Sequence, residues 1–166
     1  MSRLDQESGL SHAAAFCDLA VAERLIVWSF RCWVSDSERW PLVWQEFTRQ
    51  FPADLARPAM RAFEEFVAGI CRRAHRVIHY HQPCCPCLGS DELHVLSIIA
   101  AAQRNDIGAA ENACRRLVYE DGVEGLFTTA ARLGRIMTSR GLLLPRRLDG
   151  AGDPAWMETE PQQWLH

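Results

Sequence analysis

The residues of this chain whose types could do chemistry are concentrated between His75 and Glu92, in the stretch HRVIHYHQPCCPCLGSDE. Three histidines and three cysteines lie within thirteen positions of this stretch. Imidazole nitrogens and thiolate sulfurs are the ligands that zinc prefers in proteins. The stretch is therefore consistent with a metal site, with a redox thiol pair, or with a helix end followed by a tight turn.

The metal interpretation depends on a helix that continues through this region. On such a helix His75 and His79 are four residues apart and lie one above the other. Cys84 and Cys87 form a C-x-x-C pair just beyond, with Cys85 between them. A chain that turns back would bring these thiolates against the imidazoles and complete a tetrahedral site for zinc, or for iron. We expect His79, Cys84 and Cys87 as ligands, with His75 or Cys85 as the fourth.

Two other interpretations of the same residues stay open. In the first, His75 and His79 lie on a helix surface near the negative end of the helix dipole, and the cysteines are small apolar residues packed in a turn. In the second, Cys84 and Cys87 are a redox pair. Neighbouring arginines favour a thiolate there, but Asp91 at the start of the next helix opposes it.

Composition limits the chemistry that is available to the chain. Its 166 residues are 48% hydrophobic and carry a net charge of −3, which is typical of one globular domain with no general affinity for nucleic acid. All 18 basic residues are arginine, so Schiff-base and P-loop lysines are excluded. No nucleophile-elbow or dinucleotide-binding motif is present, and we assign no catalytic residue.

The charge distribution and the cysteines predict the compartment. The first residues, MSRLDQESGL, lack the apolar core of a secretory signal, and the most apolar stretch, 16–34, carries too many charges for a membrane span. We therefore expect a cytoplasmic protein with reduced thiols. Four cysteines lie in apolar helical patterns and are expected in the core: Cys17, Cys32, Cys71 and Cys114.

Apolar residues repeat with helical spacing through most of the chain and predict an all-α, single-domain bundle of about six helices with an irregular C-terminal tail. Two apolar stripes on the first helix, an a/d seam on the third and an almost wholly apolar fourth helix predict that these three form the centre. The expected helices are 11–35, 40–51, 58 to at least 77 and ending before Pro83, 90–104, 106–119 and 123–140.

The chain divides into a bundle domain, 1–144, and an extended tail, 145–166, that contains Pro, Gly and Trp. We expect the tail to dock on the bundle or on a partner subunit. Together with the stripes of the first helix and the seam of the third, it predicts more apolar surface than a monomer covers, and hence a homodimer.

These features favour a small cytoplasmic accessory or regulatory protein with a His/Cys metal site. The alternative is a helical protein–protein interaction module without metal, in which tryptophans contact a partner. A cysteine-based redox protein is a third interpretation, and an enzyme is less favoured than a non-catalytic role.

Overall fold

A computed structural model describes residues 15–35 and 37–147 and confirms the all-α fold. Over these residues there are six α-helices and no β-strand. The helices are α1 (Val21–Ser35), α2 (Trp40–Gln50), α3 (Ala53–Arg73), α4 (Ser90–Gln103), α5 (Ile107–Arg115) and α6 (Glu120–Ser139).

The first helix is shorter than its apolar pattern predicts. It begins at Val21, because Glu23 reaches back to accept a hydrogen bond from the backbone N–H of Ala20 (2.9 Å) and so caps the N-terminus. A single 3-10 turn, Phe16–Asp18, precedes it. Members of both predicted stripes, such as Ile26 and Leu25, are buried.

The third helix is displaced towards the N-terminus from its predicted position. It begins at Ala53 with Pro52 as its N-cap, so Pro58 lies inside the helix rather than in its first turn. It ends at Arg73, whereas the apolar repeat predicted helix to Val77. The reason is tertiary: Ala74 pairs with Val118 in an isolated antiparallel bridge, and the chain bends at residues 75 and 76.

The ends of α4 and α6, Gln103 and Ser139, lie one residue before their predicted positions. Asn105 follows α4 with φ 57° and Gly141 follows α6 with φ 70°. In both cases the backbone N–H of this residue and that of the next residue donate to carbonyls in the last helical turn. This arrangement is the Schellman motif. Asp106 then caps α5 by accepting a hydrogen bond from the N–H of Ala109 (3.1 Å).

The helices surround one core in a closed order of contacts, α1–α2–α3–α6–α4 and back to α1, with α5 packed on α4 and α6. The expected centre of α1, α3 and α4 leaves out α6: α4 packs on three helices, α1, α5 and α6, and α6 also packs on three, α3, α4 and α5. Close approach explains this position. A Cβ on Gly122 would lie 2.8 Å from the Cβ of Arg73, and one on Gly134 would lie 3.1 Å from Gln103 Cγ.

The apolar faces that predicted a dimer are mostly covered within the chain. Phe63, Val67 and Ile70 of the α3 seam are fully buried, whereas Val77, at the end of the predicted repeat, is 74% exposed. Two of the cysteines expected in the core, Cys32 and Cys114, are buried, but Cys17 and Cys71 are exposed. The described part of the tail is 145–147, and residues 148–166, with both tail tryptophans, lie outside the described residues.

None of the described helices is both long enough and apolar enough to cross a membrane.

Candidate functional site: the Cys/His loop

The segment between α3 and α4, residues 74–89, contains all the predicted metal ligands, and we call it the Cys/His loop. Because α3 ends at Arg73, His75 and His79 are not stacked on a helix. The backbone N–H of His75 donates to Leu117 O (3.2 Å), its Nε2 lies 3.1 Å from Arg115 O, and its ring meets the edge of Tyr119. His75 is therefore bound to the segment between α5 and α6.

The centre of the site is a buried ion pair between α1 and α4. Arg31 Nε lies 2.6 Å from Glu92 Oε1, Arg31 Nη2 lies 2.9 Å from Oε2, and both side chains are 0% exposed. Paired N–H donors facing a carboxylate form the strong bidentate arrangement. Glu92 lies in the first turn of α4, where the helix dipole also favours a negative charge.

The same guanidinium holds the backbone of the Cys/His loop. Arg31 Nη1 donates to Cys85 O (2.8 Å) and, at 3.4 Å, to Gln82 O, while Nη2 donates to Cys87 O (2.5 Å). With the two bonds to Glu92, the five N–H groups of one arginine are all used. The ring of Phe16 lies 5.3 Å from the guanidinium carbon and covers it.

Two neighbouring carboxylates bind the loop's N–H groups. Glu92 accepts from the backbone N–H of His81 (3.1 Å) and of Gly89 (2.8 Å), and its Oε2 lies 3.2 Å from His81 Nδ1. Asp91 accepts from the N–H of His79 (2.7 Å) and from both terminal nitrogens of Arg76 (2.7 and 2.8 Å). His81 therefore lies against the start of α4 through polar contacts.

The electrostatics follow from these contacts. Burial alone would raise the pKa of Glu92, but the hydrogen bonds from Arg31, Gly89 and His81 outweigh burial and lower that pKa below its ordinary value. The pKa of Asp91 is lowered in the same way, since the bonds from Arg76 and His79 exceed the cost of its burial. Both carboxylates are therefore held in the charged form.

The loop's reactive side chains face outward while its backbone is held. His79, Cys84 and Cys87 are exposed and Cys85 is half-buried. The neighbouring Cys85 side chain raises the pKa of the Cys87 thiol. The loop therefore leaves three of the predicted ligands, His79, Cys84 and Cys87, accessible on a fixed backbone.

The predicted ligands are not assembled around one point. Across residues 15–35 and 37–147, no three His, Cys, Asp or Glu side chains are grouped so that they could hold a metal ion. A site made from His79, Cys84, Cys85 and Cys87 requires these side chains to turn towards one another, and His75 would have to leave its contacts near Tyr119. Metal binding by the loop stays a prediction.

Sequence reasoning did not identify the residues that hold the loop. It gave Arg31, Arg76 and Glu92 no role in positioning the Cys/His loop. One signal was available for Arg31: it stands between Phe30 and Cys32 on a helix whose two apolar stripes predict burial on more than one side. A charge at such a position needs a buried partner.

Away from the Cys/His loop, a cavity of about 260 Å³ lies between α4, α5 and residues 145–147. Three of its polar side chains have intramolecular partners. Arg104 donates to Leu144 O (2.7 Å), Asp106 caps α5, and Arg147 bonds Glu23 (2.7 Å). It contains no thiol or imidazole, so the Cys/His loop is the better candidate.

The fold and the loop together define an all-α bundle with a backbone-anchored Cys/His loop. Comparison with known proteins adds no family to this description: no family model, no curated protein and no solved structure matches the chain.

Proposed function

We propose that this is a non-catalytic accessory or regulatory protein that acts through the Cys/His loop, and that the loop binds a soft divalent metal ion, zinc in the first place. The observation that carries the proposal is that the loop has a fixed backbone and exposed potential ligands. Buried charges hold its backbone, while the side chains of Cys84, Cys87 and His79 are left exposed.

The cost of this arrangement supports a functional loop. Removing two charges from water costs several kcal/mol per ion, and a buried pair is often no better for stability than apolar residues of similar volume. Here the Arg31–Glu92 pair does more than join two helices, because it also binds three loop carbonyls and two loop N–H groups. A fixed backbone reduces the entropy that exposed ligands lose when they bind.

The contacts favour one ligand set among those that the sequence allows. His75 is engaged at the far end of the loop, whereas Arg31 binds the backbone carbonyls of both Cys85 and Cys87. We therefore favour His79, Cys84 and Cys87 with Cys85 as the fourth ligand. Thiolates with one imidazole suit tetrahedral zinc, and binding would release the thiol protons.

Elemental analysis of protein purified without an affinity column tests the proposal. We expect about one zinc per chain in the parent and none in Cys84→Ser/Cys87→Ser. Cys71→Ser is the matched control, because Cys71 is an exposed thiol on α3 outside the loop. A metal-free parent whose thermal unfolding is unchanged by chelator would refute metal binding.

The alternative is an interaction module without metal. Exposed apolar side chains within the Cys/His loop support it: Val77 is 74% exposed and Tyr80 is 42% exposed. Apolar side chains on a fixed backbone suit a protein partner. Under this alternative, chelator leaves the thermal transition where it is and Val77→Ser weakens partner binding.

A further inference from the structure

The cavity between α4, α5 and residues 145–147 has an apolar wall and a cationic edge. Its charged groups are three arginines, Arg104, Arg146 and Arg147, and one carboxylate, Asp106. Arg104 and Arg146 are exposed, so the cavity lies at the surface of the bundle. The wall consists of small and apolar side chains from two helices: Leu96, Ala100, Ala101, Ala109 and Ala113. An apolar side chain with carboxylates close to it in the same segment would complement this cavity.

The chain is attached to the bundle where it lines the cavity. Arg104 donates to Leu144 O (2.7 Å), and Arg147 Nε donates to Oε1 of the buried Glu23 at the start of α1 (2.7 Å). Arg147 is also one of the residues that line the cavity. The segment that follows, 148–166, therefore starts at the cavity edge from a fixed point.

The sequence of this segment complements the cavity. It contains four carboxylate side chains and no arginine, opposite in charge to the cavity edge. Its first residues, LDGAGDPA, are rich in Asp, Gly and Pro, which favour reversal of the chain. Trp156 comes directly after this stretch and nine residues after Arg147, and nine residues span at most about 30 Å. Trp156 is thus the first large aromatic side chain that can turn back to the cavity.

Size and tethering favour this segment over other occupants. The cavity volume of about 260 Å³ is below the roughly 300–1,000 Å³ of pockets that bind small ligands, and it leaves room for little more than one aromatic side chain. A segment that is joined to the cavity edge also has an effective concentration on the order of millimolar, an advantage that a free ligand and a second chain lack.

We propose that this cavity binds the chain's own C-terminal segment, 148–166, with the Trp156 side chain inserted between α4 and α5 and with Asp149 and Asp153 facing the arginines at the edge. The segment is then a part of the bundle surface and closes the cavity to other molecules. This docking site lies away from the Cys/His loop and does not depend on metal binding.

Photo-cross-linking of the full chain, treated with chelator, tests the proposal. Trp156 is replaced by the photoreactive residue p-benzoylphenylalanine, and the irradiated protein is digested with trypsin. Digestion releases the segment as peptide 148–166 and the cavity walls as peptides 77–104 and 105–115. We expect the first peptide to be joined to one of the other two. Because 77–104 also contains the Cys/His loop, fragmentation must place the link at residue 96 or beyond.

Three variants of the photoreactive chain connect the link to the cavity. Ala109→Leu fills the cavity from α5 and should remove most of the link. Gly108→Leu is the matched control on the same helix, since Gly108 does not line the cavity and a Cβ there meets no atom within 4 Å, and it should leave the link unchanged. Arg146→Glu reverses one charge at the edge and should weaken the link. Thermal unfolding of each variant shows that the bundle is intact.

The same experiment identifies other occupants. In a mixture of isotope-labelled and unlabelled chains, a link between a labelled and an unlabelled peptide would show that a second chain fills the cavity, and this would overturn the proposal. A small molecule retained by the chelated parent in native mass spectrometry, with no link to the cavity walls, would overturn it as well. So would a link that Ala109→Leu leaves unchanged, a link elsewhere in the chain, or the absence of any link. Since the metal is removed beforehand, none of these outcomes bears on the proposed zinc site.

Discussion

At the scale of single residues, Arg31 and Glu92 hold the Cys/His loop in place. Each is almost completely removed from water, and each uses its polar atoms on the other and on the Cys/His loop. Removal of one partner would leave the other charge buried without compensation.

We therefore expect Glu92→Gln to lower the free energy of unfolding by about 3–5 kcal/mol, measured by urea denaturation. Glu46→Gln is the matched control, since Glu46 pairs with the 71% exposed Arg49 at 3.2 Å, and it should change stability little. A loss of under about 1 kcal/mol for Glu92→Gln, comparable to that of a surface pair, would contradict this account.

The same carboxylates predict how stability depends on pH. Their folded pKa values are lowered, so their contribution is present above the ordinary values of 4.5 for Glu92 and 3.8 for Asp91. That contribution is lost as pH falls through the folded values, because the unfolded chain binds the protons first. Urea midpoints taken from neutral pH down to about pH 3 should fall more steeply for the parent than for Glu92→Gln. Parallel curves would show that Glu92 contributes nothing to the dependence.

At the scale of elements, α4 positions the Cys/His loop, and α6 packs against three other helices of the bundle. The first turn of α4 binds loop N–H groups through Asp91 and Glu92, which makes the helix N-terminus the anchor of the Cys/His loop. On the other side, Gly122 lets the start of α6 reach the end of α3.

Asp91→Asn should loosen the loop more than the core. The variant keeps the shape of the side chain but weakens its hydrogen bonds to Arg76 and to the N–H of His79. Hydrogen exchange at the His79 amide should therefore accelerate more than exchange at core amides such as that of Phe63. Asp121→Asn, which removes a charge from an exposed pair with Arg73, is the control. Equal acceleration at His79 and Phe63 would mean that Asp91 acts on the whole fold and not on the loop.

Two glycines of α6 should respond to alanine with opposite signs. Gly122→Ala places a methyl group 2.8 Å from the Cβ of Arg73, and the resulting overpacking should cost about 1–3 kcal/mol. Gly125→Ala meets no atom within 4 Å and should gain up to about 1 kcal/mol from helix propensity. Thermal or urea unfolding measures both, and a stabilising Gly122→Ala would show that α6 can move away from α3.

At the scale of the whole molecule, the homodimer stays a prediction, and less exposed apolar surface supports it than the sequence suggested. Most of the α3 seam and of the α1 stripes is buried within the chain, so these faces support the dimer less; Val77 of the seam (74%) and Val21 of a stripe (47%) are exposed. Exposed apolar side chains remain on several elements, among them Tyr119 (59%), Leu143 (55%) and Leu42 (49%). Light scattering at micromolar concentration should give twice the chain mass of 18.8 kDa. A mass equal to a single chain would refute the dimer.

The cytoplasmic location also stays a prediction.

Local signals in the sequence determined the fold class and most of the helix ends. Apolar repeats specify helices because burial of one face depends only on spacing, and Asp106 and Gly141 act within their own turns. The stretch from His75 to Cys87 could likewise be recognised as unusual from residue types alone.

Only the tertiary structure decided where α3 ends and what holds the Cys/His loop. The apolar repeat continues to Val77, but backbone pairing of Ala74 with Val118, distant in sequence, ends the helix. Arg31 and its partner Glu92 are 61 positions apart, so no local pattern could relate them. The same arginine binds the carbonyls of Cys85 and Cys87, and long-range contacts of this kind have no signature in residue spacing.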